Sequence, residues 1–218
     1  NLVNNSSTNC YRLINAEGDS APGLIIDIYS SLAVIQCQTL GIYKNLELIS
    51  AALKEHVKGL KTIFFQYSVT EESGYLLGES PEKQLAMENG FKFIIDHETG
   101  QKTGFFVDQR ENRALVKQYA SGRIVLNAFC YTGGFSVYAL AGGAKKVYSL
   151  DSSKKALSIL EKNISLNFNE ANHETICADY FNYIKNTTEN FDLIILDPPA
   201  FAKSHRVLDN GIKGYRNI

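Results

Sequence analysis

The sequence has few cysteines, no long hydrophobic run and no excess of charge of either sign. No stretch of about 18 apolar residues occurs, so no membrane-spanning helix is expected. The polar residues 1–9 lack the basic start and the apolar stretch of a signal peptide. Zinc-binding spacings are also missing, which favours a reduced, cytoplasmic protein without a metal site. Neither a CxxC nor a CxH pair is formed by the four cysteines, Cys10, Cys37, Cys130 and Cys177.

The formal net charge is −1, from 22 basic and 23 acidic residues. RNA-binding proteins often carry a basic excess, so the overall charge gives no support for a nucleic-acid partner, although a local basic face would be compatible with it. What the chain does contain is an ordinary globular composition, with 44% hydrophobic and 21% charged residues. Its 218 residues suffice for two small domains.

The sequence predicts two domains with a boundary near Gly90. Residues 1–90 are expected to form a small α+β domain, and residues 91–218 the second domain. Runs rich in β-branched and aromatic residues predict strands at 23–29, 32–38, 62–67 and 91–96. The first two strands are close enough to form a hairpin through Ser30 and Ser31. Helical spacing of apolar residues predicts an amphipathic helix over 46–56. The polar stretch 74–89 predicts a loop.

Beyond residue 107 the pattern predicts alternating helices and strands. The strands are expected at 124–126, 146–150, 175–178 and 191–196. The helices between them are expected at 108–119, 135–140, 153–167 and 180–185. The last strand is apolar enough to be buried on both faces. Because parallel neighbours need a crossover connection, this order implies an α/β fold with a Rossmann-like, doubly wound parallel sheet.

Ligands of such sheets bind beyond the carboxyl ends of the strands. The first strand end is the segment Asn127–Phe135, with the sequence NAFCYTGGF. Gly133 and Gly134 lack a Cβ, so the backbone can turn sharply there and approach a ligand closely. An ordinary strand-to-helix turn explains this segment equally well when it is taken alone. Since it is not GxGxxG, it favours a nucleoside over a pyrophosphate group.

The other three strand ends carry aspartates. Asp151 can accept hydrogen bonds from two ribose hydroxyls, or it can cap the next helix. Asp179 can accept one from an adenine amino group, or be a solvated turn residue. In Asp197–Phe201 (DPPAF) two prolines fix the backbone as a shelf, where the carboxylate can hydrogen-bond a flat base and the phenyl ring can stack on it. A turn that merely ends the strand is the alternative.

Together these segments resemble class I S-adenosylmethionine-dependent methyltransferases. More closely, the chain resembles the bacterial 23S rRNA cytosine-5 methyltransferases, which combine a PUA domain, a small central domain and a catalytic domain. The resemblance extends from about Tyr11 to Ile218. It rests on four segments in this order, Pro22–Tyr29, Gln101–Arg110, Leu126–Phe135 and Asp197–Phe201.

The resemblance implies S-adenosylmethionine as the cofactor, ribosomal RNA as the partner and methylation of an RNA base, C5 of a cytosine in 23S rRNA. It implies a cofactor site formed by Lys102, Thr103, Phe105, Arg110, Asn127, Phe129, Tyr131, Thr132, Gly133, Gly134, Asp151, Ser152, Asp179, Tyr180 and Asp197. Asp197 is the one residue expected to contact the target base at the reaction centre. The base would also lie against the rest of the shelf, Pro198, Pro199 and Phe201.

Two departures from the pattern matter. Asn127 stands where many class I methyltransferases have an acidic residue, so the charge attraction to the ligand's amino group is lost. Cytosine-5 chemistry also needs a nucleophile that adds to C6. In the family this cysteine lies in a later strand, beyond Ile218, so a truncated catalytic domain without its PUA domain is expected. Neither Cys130, in the cofactor turn, nor Cys177, expected to be buried in mid-strand, is assigned as the nucleophile.

Several alternatives stay open at this stage. Amino methyltransferases use a similar Asp/Asn-Pro-Pro-aromatic shelf and need no cysteine. A fragment of this kind could also bind cofactor or RNA without turnover. Residues 1–90 could help RNA docking or only pack on the catalytic domain. The expected partners include no membrane and no metal, and a homodimer is an open alternative to a monomer.

Overall fold

The computed structural model describes residues 5–81, 84–202 and 208–218. Contacts between Cα atoms divide the chain into two compact units, Asn1–Arg110 and Glu111–Ile218. Within the described ranges no helix has the length and apolarity that a membrane crossing requires.

The N-terminal unit is built on a five-stranded sheet in the order β1-β2-β3-β4-β5. Its strands are β1 Cys10–Asn15, β2 Leu24–Tyr29, β3 Leu32–Cys37, β4 Thr62–Tyr67 and β5 Glu72–Leu77. Strands β3 and β4 are parallel, and the crossover connection that parallel neighbours need is formed by two helices, α1 Leu40–Lys44 and α2 Leu46–His56. The predicted hairpin is present, since Tyr29 pairs with Leu32 across Ser30 and Ser31.

One face of this sheet forms the core of the N-terminal unit. Alternating residues of β2, such as Ile26 and Ile28, point to the same side as Ile35 and Ile63 and are all buried. Leu53 of α2 packs against them. The period of two in the strands and the helical spacing in α2 therefore bury one continuous apolar surface.

The loop predicted for residues 74–89 is wrong, because half of this stretch, residues 74–77 and 85–88, lies in strands. Strand β5 pairs antiparallel with β4, and β6 (Leu85–Glu88) pairs with β7 (Phe91–Ile94). Strand β5 has only partly buried or exposed residues, so its hydrophobic pattern is weak and its pairing with β4 defines it. Gly90, where the domain boundary was expected, lies in the turn between β6 and β7.

The β6–β7 hairpin is attached to the N-terminal unit by backbone contacts. The amide of Asn9 donates to the carbonyl of Met87 at 2.9 Å, and the Met87 amide donates to the Asn9 side chain at 2.7 Å. These bonds join the hairpin to the start of β1. Because of these bonds the hairpin belongs to the N-terminal unit, which extends to Arg110 and does not end near Gly90.

The C-terminal unit contains a four-stranded, fully parallel sheet in the order β10-β9-β8-β11. Its strands are β8 Ile124–Ala128, β9 Lys146–Asp151, β10 His173–Cys177 and β11 Leu193–Leu196. The helices are α3 Arg110–Tyr119, α4 Gly134–Ala141, α5 Lys154–Asn167, α6 Tyr180–Asn186 and α7 Leu208–Arg216. This confirms the predicted α/β fold with a Rossmann-like parallel sheet.

Both faces of the parallel sheet are covered in its middle. Val125 and Val147 belong to a buried cluster on one face, together with Ala139 of α4. Leu126 and Leu150 belong to a second cluster on the other face. Burial on both faces explains why consecutive residues in the middle of these strands, such as Val125 and Leu126 of β8, are apolar.

The two edge strands are more exposed than the sequence predicted. Ile194 and Leu196 of β11 are 46% and 40% exposed, so the prediction that this strand is buried on both faces is wrong. Cys177 is the last residue of β10 and is exposed, not buried in mid-strand. In both cases the strand has a hydrogen-bonded neighbour on one side only within the described sheet, which a hydrophobic pattern cannot reveal.

Candidate functional site

The turn between β8 and α4 has an unusual backbone. Phe129 and Tyr131 adopt positive φ angles of 57° and 48°, and Gly133 has a φ of 81°. Left-handed geometry costs a residue with a side chain about 1–2 kcal/mol, and such strain is concentrated at ligand sites. The amide of Cys130 donates to the carbonyl of Leu150 at 3.1 Å, which fixes the turn to the end of β9.

Helix α5 supports the same turn from the other side. A Cβ on Gly133 would lie 2.5 Å from Cγ of Leu160, so only glycine allows this approach. The side-chain amide of Asn163, which is fully buried, donates to the carbonyl of Thr132 at 2.8 Å. Of the two adjacent glycines in this turn, Gly133 is therefore required for two reasons: the close packing of helix α5 and the left-handed backbone.

Asp151, the last residue of β9, has its carboxylate held between two loops. One oxygen accepts from the Tyr131 amide at 2.8 Å, and the other accepts from the Ser153 amide at 2.9 Å. Ser153 is the N-cap of α5, and its hydroxyl accepts from the Ala156 amide. Asp151 is therefore not needed as the cap. Each of its oxygens retains a lone pair that a ribose hydroxyl could use.

The third strand end combines a polar and an aromatic residue. Asp179 is the N-cap of α6, where one carboxylate oxygen accepts from the Asn182 amide at 3.0 Å. Sequence reasoning missed this cap, although an aspartate directly before a helix is the usual signal for it. Tyr180 is buried, and its ring centroid lies 5.0 Å from that of Phe129. The first and third strand ends are thus in contact.

A row of aromatic side chains continues from there to the shelf. The Tyr180 ring lies 5.3 Å from Phe181, Phe181 lies 6.3 Å from Phe201, and Phe201 lies 4.9 Å from Tyr215, measured between centroids. Phe201 was predicted at the substrate side of the site, whereas Phe181 and Tyr215 were not. The row connects the turn after β8 with the end of β11 and with helix α7.

Helix α7 packs directly on the shelf at Asp197–Phe201. A Cβ on Gly214 would lie 3.0 Å from the Phe201 ring, and one on Gly211 would lie 2.5 Å from Cβ of Ala202. Asp197 and Pro199 are exposed, whereas Phe201 is half-buried. The two glycines of α7 therefore let the helix hold the Phe201 ring while the carboxylate stays accessible to solvent. Pro198 is half-buried on the same segment.

Asn127, near the end of β8, has a buried side chain that is only half satisfied. Its Nδ2 donates to Oγ of Ser136, in the first turn of α4, at 2.8 Å. Its Oδ1 has no hydrogen-bond partner among the described residues. A buried carbonyl without a donor is unfavourable by about 1–3 kcal/mol. This orphaned acceptor beside the glycine turn fits a ligand that brings an amino group.

Thr103 and Phe105, both predicted at the cofactor, are buried within the N-terminal unit. The Thr103 hydroxyl donates to a carboxylate oxygen of Asp27 at 2.6 Å. The Tyr29 hydroxyl donates to the Phe105 carbonyl at 2.7 Å, and the Phe105 ring stacks on Phe93. These contacts anchor the segment Gln101–Arg110 to β2.

Arg110 and Lys102 mark the two ends of that anchored segment. The Arg110 guanidinium lies 3.6 Å from the buried Glu88 carboxylate and donates to the Cys10 carbonyl at 3.2 Å. Lys102 is exposed, with a φ of 50°, and its Nζ lies 4.6 Å from the centroid of the Phe106 ring. Of the four residues predicted on this segment, Lys102 is therefore the one that offers an exposed cationic side chain.

None of the four cysteines forms a disulfide. Burial strongly raises the pKa of the Cys130 thiol, so it stays protonated and is a poor nucleophile. Cys177 is exposed, and its Sγ lies 3.7 Å from the carbonyl of Ser152. Across residues 5–81, 84–202 and 208–218, no three His, Cys, Asp or Glu side chains are grouped as metal ligands would be.

The parallel sheet, the strained glycine turn and the carboxylate that bridges two loops define a class: doubly wound α/β proteins that bind a nucleoside cofactor at the carboxyl edge. The family can be stated more closely. Residues 35–218 match the sequence profile of the S-adenosylmethionine-dependent methyltransferases, and the chain belongs to this family. This confirms the family and the cofactor, S-adenosylmethionine, that were predicted from the sequence.

Individual relatives agree with this assignment. The chain is 37% identical over 230 residues to the ribosomal RNA large subunit methyltransferase I of Aeromonas hydrophila and 39% identical over 228 residues to that of Pseudoalteromonas atlantica. Each comparison covers 100% of this chain and 58% of the relative. The crystal structure of SMU.776, a methyltransferase complexed with SAH, superposes with a TM-score of 0.83 at 31% identity. The superposition covers 96% of this chain and 59% of the SMU.776 chain. The chain thus spans somewhat more than half the length of these relatives.

Proposed function

We propose that this chain is the cofactor-binding part of an RNA base methyltransferase acting on ribosomal RNA of the large subunit. The observation that carries the proposal is the Asp151 carboxylate, which joins the strained turn after β8 to the start of α5. The relatives are ribosomal RNA large subunit methyltransferases by name, which supports RNA as the substrate. When bound, S-adenosylmethionine supplies a methyl group on a sulfonium, which is readily transferred.

The protein's part in this chemistry is to position the donor and the base. We assign the cradle of the methionine part to the turn Phe129–Gly134 and the ribose hydroxyls to Asp151. Asp179, with one oxygen engaged as a helix cap, offers its other oxygen to the adenine amino group. Ser152 follows Asp151 directly and is exposed beside it. The assignment of Lys102, Thr103, Phe105 and Arg110 to the cofactor stays a prediction from the resemblance.

The acceptor side is assigned to the shelf. Asp197 would hydrogen-bond an extruded or unpaired base, and Phe201, held between Phe181 and Tyr215, would stack against it. Pro198 and Pro199 remove two backbone donors and keep this segment in an extended, rigid form. Stacking on an aromatic ring contributes about 1–3 kcal/mol per base in complexes of single-stranded nucleic acids.

The position that is methylated is proposed to be C5 of a cytosine. Addition of a thiolate to C6 would have to precede methyl transfer, and Cys130 is a poor candidate because burial raises its pKa. Amino methylation is the second candidate, since the exposed carboxylate of Asp197 could accept a hydrogen bond from an exocyclic amine without any thiol. The geometry of the shelf serves both reactions.

Two measurements test the proposal. Calorimetry on the 218-residue chain should detect binding of S-adenosylhomocysteine, and a lack of binding would contradict the cofactor site. The chain should then be incubated with isotope-labelled S-adenosylmethionine and unmodified large-subunit RNA, followed by nucleoside mass spectrometry. A 5-methylcytidine product supports the cytosine-5 proposal, and N4-methylcytidine supports amino methylation instead. Cofactor binding without any methylated product would leave only a binding role for this chain.

A further inference from the structure

A chain of hydrogen bonds leads from Asn127 to a histidine on the far edge strand of the sheet. Asn127 Nδ2 donates to Ser136 Oγ at 2.8 Å, and Ser136 Oγ lies 2.6 Å from Ser149 Oγ. Ser149 Oγ in turn lies 2.8 Å from Nε2 of His173. Asn127, Ser136 and Ser149 are no more than 1% exposed, and His173 is half-buried. The chain therefore crosses β8, α4, β9 and β10 inside the C-terminal unit.

The two ends of this hydrogen-bond chain are consistent with one direction throughout. Burial lowers the pKa of His173 to about 4, so the imidazole is neutral near pH 7 and one ring nitrogen is an acceptor. The amide nitrogen of Asn127 can only donate. With Asn127 as the donor to Ser136, we assign Ser136 as the donor to Ser149 and Ser149 as the donor to Nε2 of His173. In this arrangement every hydroxyl in the chain both accepts and donates.

The opposite direction is less favourable for two reasons. It would require the Asn127 side-chain amide to be rotated by about 180°, so that Oδ1 accepts from Ser136. The NH2 group, which carries two donors, would then be the buried group without a partner. It would also direct those donors, instead of a carbonyl oxygen, toward a ligand that carries an ammonium group. The assigned direction leaves Asn127 Oδ1 available to a donor, and this oxygen has no partner among the residues that the structure describes.

We infer that Ser136, Ser149 and His173 are positioning residues that hold the Asn127 amide with its oxygen available to the ammonium group of the cofactor's amino-acid part. The inference rests on the proposed cofactor site. It offers a reason why an amide can stand where a carboxylate is usual: the amide has no charge to attract the ammonium, so its orientation has to be fixed. In this assignment, none of the four hydrogen-bonded side chains, Asn127, Ser136, Ser149 and His173, contacts the adenosine part of the cofactor.

Two ligands separate this role from general support of the fold. S-Adenosylhomocysteine carries the amino-acid part, whereas 5′-methylthioadenosine keeps the adenosine and the thioether but lacks it. In calorimetry on the full chain, Ser149→Ala should weaken binding of S-adenosylhomocysteine about tenfold, the effect of one lost buried hydrogen bond. Binding of 5′-methylthioadenosine should change less than twofold. Ser50→Ala is the matched control, because Ser50 is equally buried in the N-terminal unit and its hydroxyl is unpartnered within the described ranges.

The possible outcomes are distinct. If the unmodified chain binds neither ligand, the proposed cofactor site fails and this inference fails with it. If it binds both and Ser149→Ala leaves both affinities unchanged, or lowers both equally, only the positioning role is overturned. Nitrogen NMR of the imidazole gives a second readout that needs no variant. It should show His173 with its proton on Nδ1 at pH 7, and a proton on Nε2 would overturn the inferred direction.

Discussion

At the scale of single residues, the site depends on a few side chains whose surroundings leave little freedom. Asp151 accepts two backbone hydrogen bonds from loops that follow different strands, so its carboxylate is fixed before any ligand arrives. Gly133 is fixed by the Leu160 side chain. Preorganisation of this kind reduces the entropy that binding would otherwise have to overcome.

Replacement of Asp151 by alanine should weaken cofactor binding by roughly 1–3 kcal/mol, because ribose hydroxyls and two backbone amides lose their acceptor. Calorimetry with S-adenosylhomocysteine measures the effect. Asp192→Ala is a matched control, since Asp192 also accepts from a backbone amide, that of Ile124, but at the amino end of the sheet. The control should lose stability and keep its affinity. An unchanged affinity of Asp151→Ala would remove this residue from the site.

Gly133→Ala should destabilise the C-terminal unit and weaken cofactor binding together. The new methyl group would meet Cγ of Leu160 at 2.5 Å, and the φ of 81° is itself unfavourable for alanine. Gly122→Ala isolates the backbone part, because Gly122 has a φ of 70° with nothing within 4 Å of the added Cβ. Urea unfolding should show a loss of about 1–2 kcal/mol for Gly122→Ala and a clearly larger loss for Gly133→Ala. Equal losses would show that the Leu160 contact is readily relieved.

At the scale of elements, the parallel sheet brings together groups that are distant in sequence. Strands β8, β9 and β10 lie side by side, so Asn127 pairs in register with Ser149, and His173 on β10 lies within reach of the same hydroxyl. Helix α4 contributes Ser136, whose hydroxyl is hydrogen-bonded to Asn127 and Ser149. A buried polar network of this kind is most stable when each hydroxyl has both a donor and an acceptor partner, as in the inferred direction.

The half-buried imidazole of His173 should make stability depend on pH. Its pKa of about 4 in the folded state is below the ordinary value of 6.5 because burial disfavours the charged form. As the pH falls from 6.5 toward 4, the unfolded chain takes up a proton that the folded chain does not, so the free energy of unfolding decreases. The total loss is on the order of 2–3 kcal/mol.

Urea unfolding at a series of pH values tests this prediction against variants. His173→Gln should lose less stability than the unmodified chain between pH 6.5 and 4. His56→Gln replaces an exposed histidine and should follow the unmodified chain. Burial also lowers the pKa of His97 in the N-terminal unit, and this contribution is common to all three proteins. The same pH profile for His173→Gln and the unmodified chain would contradict the prediction.

The aromatic row gives a prediction for the acceptor side. Phe201→Ala should weaken RNA binding by about 1–3 kcal/mol and leave the affinity for S-adenosylhomocysteine nearly unchanged, because a stacking surface is lost. Phe201→Tyr keeps the ring and should restore most of the affinity. Fluorescence anisotropy with a labelled fragment of large-subunit RNA measures the effect. If alanine and tyrosine behave alike, the ring has no role in RNA binding.

At the scale of the whole molecule, the chain consists of two compact units with separate cores. The cofactor residues proposed from the strand ends all belong to the second unit, whereas Lys102, Thr103, Phe105 and Arg110 belong to the first. These two groups were predicted on different grounds. The strand ends follow from the topology of the sheet, and the segment Gln101–Arg110 follows from the family resemblance.

Hydrogen exchange can examine both groups in one experiment. Addition of S-adenosylhomocysteine should slow amide exchange in the turn 129–133 and at 151–153, because those loops would contact the ligand. The central strands β2 and β3 of the first unit should serve as an internal reference. Additional protection at 101–106 would support the assignment of that segment to the cofactor. If exchange there is unchanged while the turn is protected, the segment has no part in the site.

Much of the fold could be predicted because local patterns agree with it. Strand β8 begins with the apolar run Ile124–Leu126, the helix between residues 154 and 167 has clear helical spacing, and the glycines follow a strand. Strands β5 and β6 were missed because they are short and partly polar, and pairing with β4 and β7 defines them. The exposure of Ile194 and Cys177 was missed for a related reason, since a pattern does not show which strand is at an edge.

The sequence by itself determined the doubly wound sheet, the glycine turn and the three aspartates that follow successive strands. These features depend on residues close together in the chain, where hydrophobic period and backbone preference act directly. Only the tertiary structure decided what those residues contact. It showed Asp151 between two loops, Gly133 against Leu160 and Asn127 at the end of a hydrogen-bond chain. Such contacts join separate strands and helices, and their distances are defined only when the sheet has assembled.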